Sequence, residues 1–262
     1  MKPHIKSLAV GVLAAFALNT ANAQLIEGSD NANNYLVDQN LEGANGGSGF
    51  GAWSISSSTN PLFGGAFVGN NTTQNGRASI GSPSQIFGLY ANPIGAFVDL
   101  RRTFADGLSI QSGNSFSWQG AFSWSGGNRG FSLYSGADFT GEILNLSHSG
   151  SDALTYTVGN STGTALLDIY NQSFTITLTL VSSGSLQLQA LSGANTFDQT
   201  FAIAGNPTSF KWYFAAGDAT NNFGNYEPYF NNLTVVPEPS TYALLSLGAA
   251  SILWRIRRRK VS

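Results

Sequence analysis

The chain between Gln24 and Val236 predicts an all-β domain, an antiparallel sandwich or barrel, on three observations. Short stretches rich in aromatic and β-branched residues are separated by clusters of glycine, serine, asparagine and threonine, which are strand and turn signals. Several of those stretches alternate apolar and polar residues with a period of two. No segment of this region carries the 3.6-residue apolar period of an amphipathic helix. Many short strands joined by glycine-rich turns define the sandwich and barrel classes.

Taken in order, the chain opens on a targeting segment. Lys2, His4 and Lys6 precede an apolar run from Leu8 to Leu18, and Ala21-Asn22-Ala23 follows. A basic start, a short oily stretch and a small-x-small end are the parts of a secretory signal peptide, with cleavage after Ala23. The run of 11 residues is well short of the ~20 that a spanning helix needs. Residues 1–23 are therefore a signal helix, and signal peptidase and the secretion machinery are implied partners. The mature chain begins at Gln24.

Strands follow. Ala96 to Phe104 is one candidate. In Ser115 to Trp124, residues Phe116, Trp118, Phe122 and Trp124 share one parity, which marks a strand with one buried face. Gly130 to Tyr134 alternates again after a Ser125-to-Arg129 turn, so the two segments read as a hairpin. Phe174, Ile176, Leu178 and Leu180 alternate with Thr175, Thr177 and Thr179. A Ser182-to-Ser185 turn then returns the chain through Leu186 and Leu188 as a second hairpin. Phe210 to Phe214, with Trp212 inward, and Tyr229 to Val235 are the last strands.

Composition limits the function. The 213 residues from Gln24 to Val236 contain no linker and read as one domain, 24–236, large enough to bury its own core. The chain has no cysteine, so neither disulfides nor thiolate metal sites hold it. Five basic residues face thirteen acidic ones in this stretch, a balance of −8. That disfavours nucleic acid, which requires a basic footprint.

Candidate chemistry is sparse. His148 lies beside Ser147 and Ser149 with Asp152 nearby, but neighbours in sequence point their side chains apart, and a loop histidine is expected. Zinc would need more His or Cys ligands than the chain offers. No cofactor is expected, although Asp218, Asn221, Asn222 and Asn225 offer oxygens that calcium accepts. Glycoside hydrolysis needs two facing carboxylates, and Asp138 and Glu142 flank what reads as a turn at Thr140-Gly141. Trp53, Tyr226 and Tyr229 are candidates for stacking on sugar rings, whereas Trp118, Trp124 and Trp212 belong to the core. The Thr175-Thr177-Thr179 row reads as a solvent-facing strand surface, because an ice-binding plane needs ranks of such rows.

The chain closes with Pro237-Glu238-Pro239, an uncharged stretch from Ser240 to Trp254, and Arg255, Arg257, Arg258, Arg259 and Lys260. Two prolines around a glutamate hold the backbone extended. Fifteen helical residues cover about 22 Å, short of a bilayer core unless the flanks snorkel. The basic cluster resists translocation and stays in the cytoplasm. A plain C-terminal membrane anchor is one reading of residues 237–262. The arrangement closely resembles the PEP-CTERM sorting signal of Gram-negative bacteria, also known as an ice-binding-protein C-terminal domain. The resemblance implies recognition of Pro237, Glu238 and Pro239 by exosortase, an inner-membrane protease. It further implies a precursor transiently held in the inner membrane, then delivered to the cell surface or matrix, where exopolysaccharide is a candidate partner.

A looser resemblance concerns the domain. The segments around Phe97 to Phe104, Phe116 to Trp118, Gly127 to Leu133 and Tyr229 to Val235 are similar to concanavalin-like jelly rolls, which implies a sandwich rather than a barrel. The sequence thus leads to a non-enzymatic, exported surface protein, with a lectin-like glycan-binding module as the alternative. A polysaccharide hydrolase and an ice-binding protein are two further readings.

Overall fold

The computed structural model describes residues 28–60, 62–71, 78–80, 84–105, 113–122, 126–149, 153–170, 172–217 and 227–236. Its strands begin with β1 (Gly28–Asp30), β2 (Ser54–Ser57), β3 (Phe63–Asn70), β4 (Gln85–Asn92) and β5 (Phe97–Thr103). Then come β6 (Ser115–Ala121), β7 (Asn128–Tyr134), β8 (Glu142–His148), β9 (Leu154–Val158) and β10 (Ser161–Leu166). The last are β11 (Ser173–Ser182), β12 (Ser185–Ser192), β13 (Asn195–Ala202), β14 (Ser209–Ala215) and β15 (Tyr229–Val236). Among the described residues the one helical turn is a 3-10 turn at Ala32–Asn34, and no helix is long and apolar enough to cross a membrane. The expected signal and tail helices lie outside the described residues.

The strands form two antiparallel sheets. One runs β13-β12-β11-β6-β15-β4-β3, with β1 also paired to β15, and the other runs β10-β9-β8-β7-β14-β5-β2. The chain crosses repeatedly from one sheet to the other, so the fold is the antiparallel sandwich that the sequence predicts. Period two makes this architecture: on β11, Phe174, Ile176, Leu178 and Leu180 are buried, while Thr175, Thr177 and Thr179 face outward and are half-buried.

The two inner faces meet in an aromatic core. Trp212 of β14 stacks on Phe230 of β15 with ring centroids 4.1 Å apart and planes 6° from parallel. Trp118 meets Trp212 edge-on at 5.5 Å, and Phe116 stacks on Phe210 at 5.0 Å. Offset-stacked and edge-to-face pairs of this kind add about 0.5–1.5 kcal/mol each beyond the area they bury. Phe116, Trp118, Phe122, Phe174, Ile176, Leu178 and Trp212 are all buried, as their alternation predicts. Trp124 lies outside the described residues.

One expected pairing is overturned. The segments now labelled β6 and β7 do not form a hairpin: β6 pairs with β11 and β15, whereas β7 pairs with β14 and β8 in the opposite sheet. They meet through side chains instead, with Trp118 and Phe131 at 5.3 Å across the sandwich. Alternation reports that a strand has one buried face, and it does not say whether the next strand lies beside or opposite. The β11–β12 hairpin has the expected register, with Leu178 opposite Leu188 and a turn through Ser183-Gly184. Strands β5, β14 and β15 also lie where the sequence places them, within a residue at each end.

Candidate functional site

Both ends of the described chain emerge at the same end of the sandwich. Strand β15 lies inside the eight-stranded sheet between β6 and β4, and its last turns pair on one side with β6 and on the other with β1. Gly28 sits opposite Val235, and Val236 opposite Ser115. Leu233 and Val235 are buried, so the strand is held up to the residue before Pro237. Pro237, Glu238, Pro239, Arg255, Arg257, Arg258, Arg259 and Lys260 lie outside the described residues, as do Ala21 and Ala23. Their attachment points are nonetheless neighbouring strand ends.

The candidate chemistry read from the sequence is dispersed. His148 is not in a loop: it ends β8 with its side chain buried, its ring 5.8 Å from that of Phe122. Its neighbour Ser147 faces the other way and pairs its hydroxyl with that of Thr155 at 2.9 Å. Period two within a strand therefore separates the two groups. Asp138 lies in the turn between β7 and β8, exposed, and Thr140 donates to it at 2.7 Å, which holds its carboxyl below the usual range. Asp152, Asp218, Asn221, Asn222, Asn225 and Tyr226 lie outside the described residues. Among the described residues no group of His, Cys, Asp or Glu is placed to share a metal ion.

Two of the three aromatics read as sugar-stacking candidates are buried. Trp53 is 1% exposed and forms part of a polar network inside the fold. Its Nε1 donates to the Tyr35 hydroxyl at 3.0 Å, and that hydroxyl donates to Asp30 at 2.6 Å. Arg102 completes the network with a buried ion pair to Asp30, a hydrogen bond to the Gly51 carbonyl at 2.6 Å, and its guanidinium 4.4 Å from the Trp53 ring. Burial, then the hydrogen bond to the Asp30 carboxylate, pushes Tyr35 up to about 12. Tyr229 is 4% exposed, packed under Phe67. Neither can stack on a ligand.

On the outer face of the seven-stranded sheet, Asp99 receives hydrogen bonds from Arg101 at 2.8 Å and Lys211 at 3.1 Å. Lys211 lies 5.6 Å from the ring of Tyr213, which in turn donates toward Asn145 and the Leu146 carbonyl, each at 3.3 Å. Burial is the main cause that pushes Tyr213 up to about 12. Charges of both signs compensate each other here.

The outer face of the eight-stranded sheet is different. Strands β3 and β4 pair Phe63 with Asn92, Gly65 with Tyr90 and Phe67 with Gly88. The Tyr90 ring lies down across Gly65, where a Cβ would sit 2.5 Å from the phenol oxygen and 2.7 Å from Cζ. Phe67 likewise lies across Gly88, where a Cβ would meet its Cζ at 2.2 Å. Phe67 and Tyr90 centroids are 6.4 Å apart, and Tyr229 supports Phe67 edge-on at 6.3 Å. Buried Ile80, Ile86 and Ala121 pack in the same cluster with Tyr229 and Phe67. Phe63 is 55% exposed and Tyr90 41%. Beyond them the face continues through hydrogen-bonding side chains: Ser117 with Thr234, Gln119 with Asn232, and Gln187 and Gln189 both donating to Asp198. Those two amides hold the Asp198 carboxyl below its usual range. Sequence reading missed this platform, although the spacing Phe63-Gly-Gly-Ala-Phe67-Val-Gly carries its signal: glycines alternating with aromatics on one parity.

Residues 235–259 match the family described as the PEP-CTERM protein-sorting motif, so the chain carries that motif directly at the end of β15. No match is found among the sequences of characterised proteins. Among solved structures the chain is similar to a sialidase at 8% identity and a TM-score of 0.48, over 72% of this chain and 17% of that one. It is similar to the botulinum neurotoxin serotype D ligand-binding domain in complex with N-acetylneuraminic acid. There the identity is 10% and the TM-score 0.44, over 90% of this chain and 52% of that one. An alginate lyase from Alteromonas sp. 272 matches at 12% identity and a TM-score of 0.36, over 53% of this chain and 78% of that one. The chain spans about half of the toxin chain and much less of the sialidase.

Proposed function

We propose that this is a non-catalytic protein, exported as a precursor by its signal segment, held in the inner membrane by its tail, and sorted to the cell surface of a Gram-negative bacterium. The observation that carries the reading is the sorting motif at residues 235–259, which begins as the last strand of the sandwich ends. Pro237-Glu238-Pro239 presents an extended segment to an exosortase-type membrane protease, while Arg255 to Lys260 stay on the cytoplasmic side. Signal peptidase removes residues 1–23.

A non-catalytic role is supported by what engages three of the described acids. Asp30 is paired with Arg102, Asp99 with Arg101 and Lys211, and Asp198 with two glutamine amides. A general acid at neutral pH needs a carboxyl whose pKa is raised, and those of Asp138 and Asp198 move the other way. The test replaces Pro237, Glu238 and Pro239 by alanine and follows the chain by fractionation, with antibodies to the domain and to a C-terminal tag. The expected result is an unprocessed precursor in the inner membrane, against a trimmed wild type at the surface or in the medium. A triple variant sorted and trimmed like wild type would reduce the tail to an anchor.

A further inference from the structure

We infer that the outer face of β3 and β4 is a binding platform for a neutral polysaccharide, one whose sugars present flat C–H faces. This goes beyond the sorting reading and does not depend on it, because it concerns the surface of the folded domain alone.

Exposure is the first argument. Phe63 and Tyr90 are diagonal neighbours on adjacent strands, both outward, with about half of each in contact with solvent. Large aromatics ordinarily turn inward in a sandwich, as Phe116, Trp118 and Trp212 do here. These two remain outside on a prepared base. Gly65 is the position on which Tyr90 rests, and any side chain there would lift the ring. Gly88 seats Phe67 in the same way, and the buried Ile86 and Tyr229 pack beside Phe67 on the same face. The result is a set of low-lying rings whose free sides face solvent.

Chemistry chooses the ligand. The face of an aromatic ring is its negative side and attracts the slightly positive C–H groups of a pyranose. A binding site of this kind combines apolar area with a few polar groups that fix orientation. On the same face, beyond the buried cluster of Ile80, Ile86, Ala121 and Tyr229, strands β6 and β11 carry Ser117, Gln119, Thr175 and Thr177, all hydrogen-bonding and uncharged. Among the described strand residues of this face, the one charged side chain is Asp198, on the far edge strand and already held by Gln187 and Gln189. An uncharged face of hydroxyls, amides and rings matches an uncharged polyol. Among the described residues this face carries no cation to meet an anionic polymer, because Arg101, Arg102, Arg129 and Lys211 all belong to strands of the opposite sheet.

The experiment measures binding of the full chain, in a non-ionic detergent without a sugar headgroup, to soluble mixed-linkage β-glucan and to cellulose, with alginate as the anionic comparison. Retention by the neutral glucans and none by alginate is expected. Tyr90→Ala with Phe63→Ala should raise the dissociation constant by about tenfold or more, the loss of about 1.4 kcal/mol. Tyr90→Phe should bind like wild type, because the ring and not the hydroxyl makes the contact. Thr157→Ala, on the opposite sheet, serves as the control for folding and handling. No retention on either neutral glucan, undiminished binding by the double variant, or preference for alginate would each overturn the inference. So would dimerisation of the chain through Phe63 and Tyr90 in the absence of glycan, since the platform would then serve a second copy.

Discussion

Arg102 and Asp30 form the one ion pair of the described fold in which both side chains are fully buried, and it joins β5 to β1 across the two sheets. A chain without cysteine has no covalent way to tie its first strand to the opposite layer. The pair is completed by Tyr35, Asn34, Asn45 and the Gly51 carbonyl, so its donors and acceptors find partners on every side. Breaking such a pair from one side leaves an uncompensated charge, and Arg102→Met should therefore cost about 3–5 kcal/mol in urea unfolding. Tyr35→Phe removes the hydroxyl that serves Asp30, Trp53 and Gly46 together, for about 1–3 kcal/mol. The same hydroxyl sets an alkaline limit. Its pKa is raised from 10.0 to about 12 in the fold, so it favours the folded state fully below pH 10 and loses that contribution as the pH climbs to about 12. Tyr213 follows the same sign over the same window. Unfolding midpoints measured from pH 9 to 12 should fall for wild type, and fall less steeply for Tyr35→Phe. An unchanged slope would mean that Tyr35 ionises freely.

At the scale of strands, the sequence was legible wherever alternation was strict. Strands β6, β11, β12 and β14 each carry a clean apolar parity, and each buries it, whereas β15 changes parity at a register shift between Asn231 and Thr234. Strands β3 and β4 were not legible, because glycine occupies Gly65, Gly69 and Gly88 where a reader looks for polar outward residues. The aromatic platform was hidden by the same glycines. Trp53 misled in the opposite sense: it lies among glycines and serines, yet closes over Arg102 in the core. Partner choice was the other illegible property, since β6 and β7 face each other across the sandwich rather than side by side. That arrangement has an energetic consequence. Trp118 is the side chain of β6 that reaches Phe131, Phe174 and Trp212 at once, in strands of both sheets. Trp118→Ala should cost about 3–5 kcal/mol in chemical denaturation. A loss under about 1 kcal/mol would show that the aromatic contacts across the sandwich carry little of its stability.

For the whole molecule, the sorting tail was read from sequence because its parts follow one another along the chain, whereas the relation between the tail and the fold needed the structure. Val236 is a strand residue paired with Ser115, and the motif begins with no spacer behind it. The placement makes a sharp demand on processing. A cut at or beyond the proline-flanked glutamate leaves every described strand whole, since the last buried side chain among the described residues is Val235. A cut a few residues earlier removes Leu233 and Val235 from the core, takes from β1 the strand it pairs with, and leaves the start of β6 paired on one side alone, with β11. Loss of a buried leucine costs about 2–5 kcal/mol on its own, and the lost ladder adds to it. A chain ending at Val236 should therefore unfold in urea at the same midpoint as the full chain, while one ending at Asn232 should be largely unfolded or shifted by several kcal/mol. Equal midpoints for both truncations would show that the end of β15 is dispensable, and the close joining of strand and sorting motif would have no bearing on where the tail is removed. A lowered midpoint for the chain ending at Val236 would instead mean that the tail itself supports the fold, which a removable signal cannot do.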